Sequence, residues 1–166
     1  MVSETYVECL VARKPTFARN FVKTLLIMLT VIFCLIGFVF VPGFLVAILT
    51  GVGAYFAYMN AEIEYEYLYL DREVSIDKIM AKSKRKRAAV YEMDRLEIIA
   101  PVNSHQLDSY RNRTVKKTVD YSSGKVENPD KRYVMIYEGN IQIIWEPNAE
   151  MLKAIRTIAP RKVFTE

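Results

Sequence analysis

Between Thr24 and Ala61 the chain contains no Asp, Glu, Lys, Arg or His. A helix on the surface of a soluble protein needs a polar face, so this absence excludes that role. Bilayer hydrocarbon is about 30 Å thick, and a helix crossing it needs roughly 20 apolar residues, about 17 at the least. Thr24–Phe40 and Phe44–Asn60 each meet that length, separated only by Val41-Pro42-Gly43. Two such neighbouring runs are expected to form a membrane hairpin. The same lack of charge excludes a proton relay or ion path within the runs, and so a transporter built from them alone.

Other scarcities narrow the function. The chain has 2 cysteines, Cys9 and Cys34, and neither position suggests a disulfide framework or an oxidising compartment. The single histidine, His105, shares a polar stretch with Ser104 and Asp108. Three neighbours in one loop do not readily adopt the geometry of nucleophilic catalysis, so no catalytic residue is expected. With one histidine and no cysteine after Cys34, no metal site or cofactor is expected either. Gly51-Val52-Gly53 falls inside the apolar run and is not read as a phosphate loop. The overall pI near 9.0 does not mark a nucleic-acid binder. Residues 62–166 carry 19 basic and 17 acidic side chains, a nearly balanced surface.

What is present sets direction. Arg13, Lys14, Arg19 and Lys23 precede the first run, and Lys78–Arg87 is rich in cations after the second. The turn between the runs has none, so the positive-inside rule places both termini in the cytoplasm of a two-span, multi-pass cell-membrane protein. Tyr55 and Tyr58 suit an interfacial belt at the inner end. A re-entrant hairpin is the alternative, because it leaves the same charge pattern. A cleaved signal peptide is disfavoured by Glu4 and Glu8 ahead of the run and by the lack of an A-x-A-like site after it. Small residues spaced along the runs, Gly37, Gly43, Ala47 and Gly51, are expected to pack the helices together. Homo-oligomerisation through the same stripe is a further reading.

Residues 1–20 read as a separate N-terminal amphipathic segment. If helical, Tyr6, Val7, Cys9, Leu10 and Val11 group on one side, and the segment lies on the inner leaflet. The alternative is a tail packed on the domain. The hairpin then occupies 21–61, and a cytosolic domain occupies 62–166.

From Ile63 the apolar period changes to two. Ile63, Tyr65, Tyr67 and Tyr69 alternate with Glu62, Glu64, Glu66 and Leu68, the pattern of a half-buried strand with its glutamates exposed. Further strands are expected over Val74–Met80, Arg87–Tyr91, Leu96–Ala100, Thr118–Tyr121, Tyr133–Tyr137 and Asn140–Trp145. Residues 103–117 read as a long polar loop. Glu138-Gly139-Asn140 has turn composition. Pro147 suits a first helical turn, after which Met151, Leu152, Ile155 and Ile158 form an apolar stripe. The chain is therefore α+β: an apolar helical hairpin, about seven strands in a small sheet or barrel, and one capping helix.

Glu64–Leu70, Val74-Ser75-Ile76-Asp77-Lys78-Ile79, Lys84-Arg85-Lys86-Arg87, Leu96-Glu97-Ile98-Ile99-Ala100-Pro101 and Ile143-Ile144-Trp145-Glu146-Pro147-Asn148 followed by Met151-Leu152 carry a resemblance. Together they resemble small bacterial, Clostridia-type membrane proteins with two N-terminal spans and a cytosolic PH-like domain. The resemblance implies a pleckstrin-homology-like fold and brings no catalytic or ligand signature with it.

The expected function is accordingly non-enzymatic: a membrane-tethered scaffold or regulatory subunit that binds protein partners at the inner leaflet, with the bilayer itself as the other contact. The alternative is recognition of anionic lipid head groups by Lys82, Lys84, Arg85, Lys86 and Arg87. A second basic group, Arg111, Arg113, Lys116 and Lys117, would add to that surface if the two converge. An enzyme acting on membrane-embedded substrates is the third reading, and it needs a polar pocket. Nucleic acid is not an expected partner.

Overall fold

A computed structural model describes residues 6–111, 113, 115–127 and 129–165. The chain forms two compact units. One comprises Met1–Arg13, Tyr65–Lys78 and Lys86–Glu166, and the other comprises Lys14–Glu64 and Ile79–Arg85.

The first strand is not where the sequence pattern suggested. Val7–Ala12 is a β-strand (β1) rather than an amphipathic helix. Val7, Cys9 and Val11 are the more buried side chains, and Glu8, Leu10 and Ala12 are exposed. That alternation is strand periodicity, and Val7 and Val11 are β-branched. A one-sided grouping on a helical wheel and a period of two are hard to separate over only six residues.

Two helices follow, α1 (Phe17–Val39) and α2 (Pro42–Ala61). At 1.5 Å per residue they are about 35 and 30 Å long, long enough and apolar enough to cross a membrane. In α1 only Gly37 is buried, while Leu35, Phe38 and Val39 are 64%, 80% and 92% exposed. The helices pack through small residues. A Cβ on Gly43 would come within 2.8 Å of the Gly37 backbone nitrogen, and one on Gly37 within 2.7 Å of the Phe44 ring. Ala47 is buried in the same interface, and Gly51 faces the Thr30 methyl. Between the helices Thr30 donates to Thr50 Oγ1 at 3.2 Å. Thr50 also donates back to its own helix, to the Val46 carbonyl.

The remaining strands are β2 (Ile63–Leu70), β3 (Glu73–Met80), β4 (Lys84–Glu92), β5 (Leu96–Pro101), β6 (Lys117–Asp120), β7 (Tyr133–Tyr137) and β8 (Ile141–Trp145). They number seven, as expected, with β1 added from ahead of the hairpin. One sheet has the order β1-β2-β3-β4, the other β5-β7-β8-β6. β7 is antiparallel to both β5 and β8, whereas β6 joins β8 in parallel. The β2–β3 turn places Asp71 and Arg72 at φ 49° and 66°, and the β3–β4 turn places Ala81 and Lys82 at 47° and 52°. The first is a two-residue turn in the left-handed region that matches strand twist, the second spans the three residues 81–83, and both are built without glycine.

Within the first unit the two sheets meet through aromatic pairs. Tyr65 stands edge-on to Tyr121, Tyr67 to Trp145 and Tyr91 to Tyr137, with centroids 5.1–5.5 Å apart. Tyr67 and Trp145 are both 0% exposed. The Tyr67 hydroxyl donates to the Tyr121 carbonyl at 2.7 Å, which compensates for its burial. Glu66, expected to be exposed, is instead buried, because both faces of mid-β2 are covered.

The second sheet has its own packing. Ile98, Ala100, Leu107, Val134 and Ile136 cluster, with Tyr110 and Phe164 against them. The stretch expected to be a polar loop therefore carries a core anchor, Leu107, on a short 3-10 turn, followed by the single helical turn α3 (Asp108–Arg111). The tail closes the β5 edge: Ile99 donates to the Lys162 carbonyl and accepts from the Phe164 N–H. The last helix, α4 (Ala149–Ile158), buries Met151, Leu152 and Ile155. Asn148 caps it by accepting the Met151 N–H at 2.8 Å. Pro147 thus precedes the cap rather than occupying the first turn.

Candidate functional site

The basic run is divided between the two units, with 82–85 in one and Lys86 and Arg87 in the other. In the unit that holds the hairpin, the β3–β4 turn joins the end of α2: the Ala81 N–H donates to the Glu62 carbonyl at 2.9 Å. Lys82, Lys84 and Arg85 belong to that unit and are exposed. Strand β4 begins at Lys84, three residues earlier than expected, so Lys84–Arg87 lie on a strand rather than in a turn. Lys86 is exposed on β4. Arg87 is committed elsewhere: its Nε meets the buried Asp77 carboxylate at 3.3 Å. Cations along an edge strand also discourage pairing with other chains.

The start of α1 belongs to the same unit as that turn. Arg19 donates to the Thr16 hydroxyl at 2.8 Å, and the Lys23 ammonium lies 5.7 Å from the Tyr58 ring centroid, a cation–π contact between the start of α1 and the end of α2. The unit contains six basic residues, Lys14, Arg19, Lys23, Lys82, Lys84 and Arg85, against two acidic ones, Glu62 and Glu64.

The second basic group is held in local contacts in the other unit. Arg111 pairs with Asp108 at 3.2 Å, and Arg113 reaches Glu97 at 3.5 Å while lying 4.5 Å from the Tyr110 ring. The Lys116 N–H donates to the Asn140 carbonyl, and Lys117 is exposed at the start of β6.

Ser104, His105 and Asp108 do not converge on a reacting centre. The Ser104 hydroxyl oxygen accepts the Gln106 N–H at 3.3 Å, the exposed His105 Nε2 is 3.1 Å from the Gln106 amide nitrogen, and Asp108 pairs with Arg111. Among the described residues no group of three or more His, Cys, Asp or Glu is placed to hold a metal ion.

The feature that sequence reasoning missed lies beside β1. A groove of about 480 Å³ is lined by Cys9, Val11, Tyr133, Pro147 and Leu152, with Asp130 and Lys131 at its polar side. β1 packs there on α4: the Cys9 thiol approaches the Glu146 carbonyl at 3.8 Å, and the Asn148 amide donates to the Glu8 carbonyl at 3.4 Å. Burial pushes the Cys9 thiol pKa upward, so the group is a poor nucleophile near neutrality. At the far end Arg13 reaches the Tyr65 hydroxyl at 3.0 Å and Asp120 at 3.7 Å. No local signal marked it, because Leu10 and Ala12 break the apolar alternation that Val7, Cys9 and Val11 would otherwise show.

Two sheets joined by aromatic pairs and closed by a C-terminal helix form the layout on which a family comparison bears. The family model described as Bacterial PH-like domain (DUF6106) matches residues 3–165. The chain belongs to that family. No curated protein and no solved structure matches it. In this PH-like domain protein, α1 and α2 interrupt the chain between β1 and β2, neighbours in one sheet. The match starts at residue 3, so the segment that holds β1 is part of the family pattern.

Proposed function

We propose that this protein is a non-enzymatic, membrane-tethered module whose PH-like domain binds protein partners at the cytoplasmic face of the cell membrane. One observation carries the reading. An apolar hairpin leaves the chain between two adjacent strands, through Arg13–Thr16 on entry and Glu62 on exit. Anchoring through two short links restrains a domain more than one flexible tail does. PH-like folds generally serve as binding modules rather than catalysts, and the groove beside β1 offers apolar surface for a partner side chain.

Both termini lie in the cytoplasm in this reading, because the cations flank the outer ends of the hairpin and the Phe40-Val41 connection has none. The test of partner binding is photocrosslinking in cells, with the crosslinker at Leu10 beside the groove and, as a control, at the exposed Thr157 on α4. Discrete adducts at Leu10 that are absent at Thr157 support the reading. Equal or absent adducts at both positions count against it.

A further inference from the structure

We infer that the cations at the open end of the hairpin form a collar for anionic phospholipids, assembled from two chain segments far apart in sequence. The inference rests on the reading that α1 and α2 lie in a bilayer. It adds the chemistry of the lipids they select.

The first segment is the approach to α1, with Lys14, Arg19 and Lys23. Arg19 and Lys23 are about one helical turn apart. The second is the β3–β4 turn, with Lys82, Lys84 and Arg85. Two contacts bring the segments to the same end of one compact unit. Lys23 sits on the ring of Tyr58, one turn before α2 ends, and Ala81 is hydrogen-bonded to Glu62, directly after α2 ends. The turn is held in a conformation with positive φ at both Ala81 and Lys82, which L-residues adopt reluctantly. Its cations are thereby fixed close to where the apolar surface stops.

That apolar surface identifies the partner. Phe17 and Phe21 at the start of α1, and Tyr55 and Phe56 near the end of α2, are exposed large side chains, 84%, 57%, 58% and 61% respectively. Acyl chains cover such a surface, and the phosphodiester groups of the same lipids then stand at the level of the collar. The opposing charges are Glu62 and Glu64, which leave the cations in excess. A soluble phosphate would meet the charge without the apolar flank, so the fit is to lipids of the surrounding leaflet.

The experiment uses the full chain reconstituted in phosphatidylcholine vesicles, with a trace of spin-labelled phosphatidylcholine or phosphatidylglycerol. Electron paramagnetic resonance reports the fraction of label held at the protein. The expected result is a preference for phosphatidylglycerol of at least about fivefold, roughly the effect of one cation near such a surface. The preference should weaken as salt rises. It should fall in K82S/K84S and in K14S/R19S/K23S, approach onefold when the two sets are combined, and stay unchanged in K116S/K117S. Equal restriction of both lipids by the unaltered chain overturns the collar, as does a preference left undiminished in either collar variant. If neither label is restricted, the bilayer reading itself fails, a separate outcome.

Discussion

Trp145 and Tyr67 set the scale for single residues in the domain. Each is 0% exposed, and their rings meet edge-on between the two sheets. Trp145→Ala removes one side of that contact and opens a cavity, so it should cost about 3–5 kcal/mol, measurable by denaturant unfolding of the full chain in detergent. Burial also raises the pKa values of Tyr67 and Tyr91 above the ordinary 10.0 of a phenol. For a group whose folded pKa is raised, the stability it contributes is complete below the unfolded value and is lost as pH climbs through the folded one. Alkaline titration should therefore show these tyrosinates appearing together with unfolding above pH 10.0, not before it. Tyrosinate absorbance that rises fully while circular dichroism is unchanged would contradict this. Asp130 behaves in the opposite sense: the Arg132 guanidinium holds its carboxyl below the usual 3.8, so its contribution persists at neutral pH and is lost only on acidification below that value.

In the hairpin the decisive residues are the glycines at the closed end. Gly43→Leu has no room, since even a Cβ would lie 2.8 Å from the Gly37 backbone. The expected outcome is loss of the α1–α2 contact near the turn, read as weakened crosslinking between cysteines placed at positions 38 and 44, whose native rings meet at 5.4 Å. Gly51→Ala meets only the Thr30 methyl at 3.5 Å and should leave that crosslinking nearly unchanged.

At the level of elements, what could be read in the chain depended on how local its cause was. The two apolar helices and the strand pattern of β2 are written in consecutive residues, and so is the stripe of α4. β1 was not legible as a strand, because its partner β2 begins at Ile63, beyond the whole hairpin. Six residues containing Cys9 and Ala12 carry little strand signal by themselves. The basic run was legible as composition, but its division was not. Arg87 is withdrawn by Asp77, whose burial depends on how β3 packs, and Ala81 is tied to Glu62 across 19 residues of sequence. The groove beside β1 brings together residues from Cys9 to Leu152, a conjunction only tertiary structure supplies. Residues 62–166 lack the strand that borders β2, so expressed alone they should be less stable and more prone to associate than the same segment with Val7–Ala12 joined through a short linker. Equal melting temperatures and equal sizes in solution would count against a structural role for β1.

The molecule as a whole joins a PH-like domain to an apolar hairpin inserted between β1 and β2. The hairpin has no ionisable residue between Thr24 and Ala61, which suits an anchor better than a conduit. The domain has a packed core and an apolar groove, and among the described residues no group of three or more His, Cys, Asp or Glu is placed to hold a metal ion. The most direct measurement is cysteine accessibility in intact cells, in a chain freed of Cys9 and Cys34. A membrane-impermeant maleimide should label Val41→Cys from outside, and should label Lys82→Cys only after the membrane is opened. Labelling of Lys82→Cys from outside, or protection of Val41→Cys, would contradict a hairpin that crosses the membrane with its domain on the cytoplasmic side.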